Sequence, residues 1–181
     1  MKKLIVVVVL ILLAGGIYYV LQDKPSTKTE TPTTNESGNF RPDPSNATFN
    51  FEDGPVTLTA GRKEIAVGGS ALTEEVVLMD EFAYGDINAD GKEDTALLLA
   101  RYGAGSGTFI YVAAFVSGPV NYKGSLALFI GDRVSPESIS IGNGVVTVNY
   151  LDREADEPMA AEPTVPMSKQ FIYINGQLQE R

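Results

Sequence analysis

From Thr48 onward the chain is built of short β-branched and aromatic runs broken by Gly, Asn and Asp, and two of the breaks are the pairs Asn143-Gly144 and Asn175-Gly176. An Asn-Gly pair between apolar runs closes a two-residue β-hairpin, because both positions tolerate φ > 0. No long amphipathic helical pattern competes with these signals in that stretch. The expected fold is therefore all-β, a mainly antiparallel sandwich or small barrel. Strands are expected over residues 48–51, 56–59, 62–67, 75–84, 95–102, 108–116, 125–130, 138–141, 145–150, 171–174 and 177–179.

Periodicity sorts these strands. In 138–141 and 146–150 the apolar residues alternate, which predicts one wet face. In 96–100 and 109–115 both parities are apolar, which predicts cover on both faces. Ala and Leu also favour helix, so a helical turn over 96–101 is the alternative there. Residues 152–166 are acidic and contain Pro158, Pro163 and Pro166, and are expected as a solvated excursion between two strands.

Ahead of this domain, Met1-Lys2-Lys3 leads an apolar run from Leu4 to Leu21. A helix of that length rises about 27 Å, close to the ~30 Å hydrocarbon core. Residues 1–21 are thus expected to form one transmembrane helix, with Tyr18 and Tyr19 at the interface and the lysines on the cytoplasmic side. A cleaved signal peptide ending near Ala14-Gly15-Gly16 is the rival, against which the apolar run continues to Leu21. Either way the domain is expected outside the cytoplasmic membrane. Residues 22–47, rich in Ser, Thr, Pro and Asn, are expected as a disordered linker, and residues 48–181 as the β-rich exported domain.

Composition removes several functions. The sequence has no Cys and no His, which excludes disulfides, thiol catalysis, Ser-His-Asp chemistry and thiolate or imidazole metal sites. The formal net charge is −9, and beyond Lys2 and Lys3 only 12 basic residues face 23 acidic ones. Such a surface repels nucleic acid and attracts cations and basic partners.

One segment carries metal chemistry. Gly85-Asp86-Ile87-Asn88-Ala89-Asp90-Gly91-Lys92-Glu93-Asp94 follows D-x-N-x-D-G-x-x-D. Calcium needs six to eight oxygens at about 2.3–2.6 Å. The alternate residues Asp86, Asn88 and Asp90 can turn oxygens inward, and Gly91 permits the bend. The Lys92 carbonyl supplies a further ligand and Asp94 closes the set, while Ile87 and Ala89 point away to pack. Leu97 stands where an EF-hand loop has its closing Glu, so the loop is not an EF-hand. It resembles the shorter calcium loops of integrin-type propeller repeats, which run on into a strand.

Other signals are weaker. Gly103-Ala104-Gly105-Ser106-Gly107 lacks the Lys-Ser/Thr and the helix of a phosphate loop, and is expected as a turn. Asp132-Arg133 is expected as a local ion pair. The calcium loop, Gly105-Ser106-Gly107-Thr108-Phe109, Gly131-Asp132-Arg133 and Ser168-Lys169 together resemble a group of uncharacterised exported bacterial domains. That resemblance spans roughly residues 84–171, implies export, and brings no activity with it.

The functional expectation is a membrane-tethered, extracytoplasmic, calcium-binding β-domain without catalytic activity. Its binding target would be an envelope protein, an envelope polymer or a basic partner. The alternative is a carboxylate-dependent hydrolase acting on envelope glycans, recognisable by two inward carboxylates, one of them buried against apolar groups.

Overall fold

The computed structural model describes residues 41–181 apart from Ser70 and Ala104. The expected membrane helix and the expected linker up to residue 40 lie outside the described residues. Among the described residues there are twelve strands and no helix. In order they are β1 (Thr48–Phe51), β2 (Gly54–Thr57), β3 (Arg62–Ala66), β4 (Thr73–Gly85), β5 (Asp94–Tyr102), β6 (Thr108–Val116), β7 (Lys123–Gly124), β8 (Leu128–Asp132), β9 (Ser135–Gly142), β10 (Val145–Asp152), β11 (Val165–Ile174) and β12 (Gln177–Glu180).

Every ladder is antiparallel, in three sheets. A curled sheet runs β3-β4-β5-β6-β7, with β8 also paired to β6; a second runs β12-β11-β10-β9; β1 and β2 form a ribbon of their own. The curled sheet is a half-barrel. The ribbon reaches one of its edges through Asn50, whose amide donates to the Ser125 carbonyl and whose carbonyl accepts from Ala127. Towards the other edge, Thr59 bridges Arg62 and the Gly61 carbonyl accepts from Leu78.

The doubly apolar strands are covered on both sides. Ala96, Leu98 and Ala100 of β5 and Ile110, Val112 and Ala114 of β6 pack with Ile139, Val146, Val148, Tyr150, Phe171 and Leu178 of the four-stranded sheet. Leu97, Leu99 and Ala113 on the opposite face pack with Phe49, Phe51, Val56 and Leu58 of the ribbon. The helical alternative for 96–101 fails because β4 and β6 flank this segment and supply ladder partners on both sides. In β10, Val146, Val148 and Tyr150 are buried while the residues between them are only half-buried, as the alternation predicts.

Between Leu78 and Phe82 the β4 ladder advances four residues while β5 retreats from Leu99 to Leu97. The two extra residues bend the strand but keep its faces, since side chains repeat every two residues. Both Asn-Gly pairs close hairpins with both residues at positive φ: 52° and 74° at Asn143-Gly144, 53° and 84° at Asn175-Gly176.

Three sequence readings need correction. Residues 41–47, assigned to the disordered linker, dock on the domain. Pro42, Pro44 and Ala47 are buried. The Pro42 carbonyl accepts from the Thr95 hydroxyl at 2.8 Å, and Arg41 lies 4.3 Å over the Tyr84 ring. The strand expected over 125–130 is split. Ser125 Oγ takes the Ala114 amide at 3.0 Å, so a side chain stands where a ladder carbonyl would, and pairing resumes only at Leu128.

The excursion after β10 is also shorter and better tied than expected. Asp152 belongs to β10 and Val165 to β11, and the two pair. Arg153 donates from Nε to the Ala161 carbonyl at 2.6 Å and from Nη2 to the Arg133 carbonyl at 2.9 Å. Asp132 and Arg133 do form an ion pair, at 3.4 Å.

Candidate metal centre

The D-x-N-x-D-G-x-x-D segment is the connection from β4 to β5, and it folds back on itself through its own side chains. Asp86 Oδ1 accepts the Asp90 amide at 3.2 Å and Asp86 Oδ2 the Gly91 amide at 2.9 Å. Asn88 Oδ1 also accepts the Asp90 amide, at 3.1 Å, and Asp90 Oδ1 accepts the Lys92 amide at 2.9 Å. Two left-handed residues make the turn, Ala89 at φ 61° and Gly91 at φ 81°. The three alternate side chains are thereby turned into the loop, as the spacing predicts. Ile87 packs into the larger core, 4% exposed, but Ala89 is exposed.

Asp94 is placed differently. It opens β5, is fully buried, and accepts the Ile87 amide at 2.9 Å and the Ser117 amide at 2.8 Å, one on each oxygen. Its carboxylate therefore ties the start of the loop to the end of β6. Ser117 is a residue the sequence reading missed. Its hydroxyl donates to Asp90 Oδ2, and its carbonyl accepts from Asn88 Nδ2 at 3.1 Å. Nothing in the Ser117-Gly118-Pro119 run announces this role, which depends on β6 ending beside the loop.

The electrostatics separate the two aspartates. Burial pushes the Asp94 carboxyl above the usual carboxylate value, against the pull of the amides it accepts. The Ser117 hydroxyl bond, helped by the Lys92 amide, holds Asp90 below it. Among the described residues no cationic side chain pairs with Asp94. Lys92 instead brings its Nζ to 3.9 Å from Asp90 Oδ2.

The donor set fits a hard cation in kind. A carboxylate offers about four lone-pair positions. Asp86 uses two of its positions on amides, and Asn88 adds a third bond to both Asp90 and Asp94, so each carboxylate keeps part of its capacity for an ion, with the Asn88 oxygen beside them. In position the fit is incomplete. Among the described residues no three acidic side chains are already gathered closely enough to hold a metal. The amide bonds and the Ser117 hydroxyl hold the carboxylates around the turn instead.

A second feature lies at the other end of β5. Arg101 is clamped between Asp53, with Nη1 at 2.9 Å and Nη2 at 2.6 Å, and Glu74, with Nε at 3.1 Å and Nη2 at 2.6 Å. It borders a cleft of about 320 Å3 between the β1–β2 turn and β8.

No family model, no curated protein and no solved structure matches this chain.

Proposed function

We propose that the β4–β5 loop takes up one calcium ion and that the protein is a calcium-stabilised, non-catalytic binding domain. On this reading it is tethered outside the cytoplasmic membrane by residues 1–21. Asp86, Asn88, Asp90 and Asp94 would provide side-chain oxygens and Lys92 its carbonyl. The single observation that carries the reading is Asp94, a fully buried carboxylate next to Asp90 with no cationic partner among the described residues. A buried charge without a counter-charge is costly, and a divalent ion supplies one. The ion would replace some of the amide and hydroxyl bonds that now hold these carboxylates around the turn.

The test is calorimetric titration of calcium into the metal-free protein, with a thermal scan alongside. A site of this kind on an extracytoplasmic domain binds at about 10⁻⁴–10⁻³ M. At tenfold excess over the dissociation constant, calcium adds about 1.4 kcal/mol of stability. Asp90→Ala should abolish both the heat and the shift. A flat titration of the wild-type protein would remove the reading.

The hydrolase alternative has less support. In the cleft, the Arg101 hydrogen bond holds the Asp53 carboxyl low, so it cannot serve as an acid near neutrality. Asp94, whose carboxyl is raised, belongs to the metal loop and does not line that cleft.

A further inference from the structure

The cleft beside Arg101 lies away from the metal loop. Arg101 is seven residues along β5 from Asp94, about 23 Å at ~3.3 Å per residue. Its walls are aromatic. Phe51 and Tyr111 meet edge to face at 5.0 Å, and Tyr111 and Phe129 at 5.6 Å. Phe129 remains 49% exposed, so its ring is open to a ligand. Aromatic faces are electron-rich and attract cations.

The charges around these rings decide what can enter. Four of the five guanidinium donors of Arg101 are already engaged by Asp53 and Glu74, so it has little left to offer an anion. Glu52 and Asp53 line the cleft with Arg101, whose charge is already matched by Asp53 and Glu74, so the cleft keeps a net negative charge. An anionic ligand is therefore repelled and a cation favoured. The net charge of −9 on the whole chain draws a polybasic partner toward it.

We infer that this cleft receives a lysine or arginine side chain of a basic polypeptide. The apolar stem lies along Phe129 and Tyr111, and the charged head meets Glu52 and the outer face of Asp53. The volume of about 320 Å3 suits one side chain, with the remainder of the partner outside. This names the partner class of the binding domain proposed above, and it rests on that domain being a binding module but not on calcium.

Fluorescence anisotropy of a dye-labelled pentalysine peptide with the full chain tests it, in calcium and again in chelator. Saturable binding is expected in both, weakening as salt is raised. Phe129→Ala changes no charge and removes an exposed ring, so its fold should survive, as its thermal scan will show. It should weaken binding at least fivefold, and Glu52→Gln two- to threefold. Equal binding by Phe129→Ala would mean that only diffuse charge holds the peptide, and would overturn the inference. Equal binding by a pentanorleucine peptide would overturn it too. Displacement by free lysine amide at matched concentration would replace the polypeptide with a small amine. Displacement by a neutral oligosaccharide would replace it with a glycan. Failure of the peptide alongside normal calcium titration would leave the metal reading standing, and the reverse result would leave this one standing.

Discussion

One carboxylate, that of Asp94, joins the two ends of the candidate metal loop. It holds the Ile87 amide at one side and the Ser117 amide at the other, in a fully buried setting. Replacing it by alanine leaves two buried donors without a partner, at about 1–3 kcal/mol each. Asp94→Ala should therefore lose about 2–6 kcal/mol in urea unfolding, measured in chelator so that metal plays no part. A loss below 1 kcal/mol would show that the amides find other acceptors.

Asp53 predicts a pH dependence of definite sign. The Arg101 hydrogen bond holds its folded-state carboxyl below the usual 3.8, against the opposing effect of burial. A depressed acid contributes stability that is present above its unfolded value and lost as pH falls through the folded one. Between about pH 4 and pH 2 the urea midpoint of Asp53→Asn should fall less steeply than that of the wild type. The side chain of Asp53 is 58% exposed, so solvent screening keeps the effect small.

The inward turn of Asp86, Asn88 and Asp90 was legible, because the D-x-N-x-D spacing itself dictates it. The hold of Ser117 on Asp90 and Asn88 was not. It joins residues 27 and 29 positions apart, and only the folded ladder sets them side by side.

Among the elements, the hairpins and the paired central strands were legible because their turn residues and both-parity burial are local signals. Boundaries were less legible: β11 begins at Val165 rather than 171, and the strand expected over 125–130 is split. The split depends on Ser125 replacing a ladder partner and on β1 taking the freed backbone groups, neither of which leaves a trace in periodicity. The same region gives an element-scale prediction. A Cβ on Gly124 would stand 2.2 Å from the Thr48 carbonyl oxygen and 2.7 Å from the Phe49 ring. Backbone cannot yield as a flexible side chain does. Gly124→Ala should push β1 away from β7 and cost about 1–3 kcal/mol, as overpacking does. It should also speed amide exchange in β1 before β10. Wild-type exchange in β1 would count against this seam. The docking of residues 41–47 escaped the sequence reading for a related reason. Pro42 and Pro44 break regular structure, which reads as linker, yet prolines lose little entropy when they pack.

At the scale of the molecule, the order of the layers followed from composition along two strands, but the partners did not. Leu97 and Leu98 look alike in sequence, and nothing local says that one meets the ribbon and the other the four-stranded sheet. Those two strands therefore form a party wall. Neither room can be emptied without exposing the plaster of the other, so loss of the wall itself opens both at once. Chemical unfolding should be a single event, with Tyr111 on one side of the partition and Tyr150 on the other reporting the same midpoint. Damage deep in the wall should shorten the life of both rooms, whereas damage at the ribbon's edge opens that edge alone to a protease.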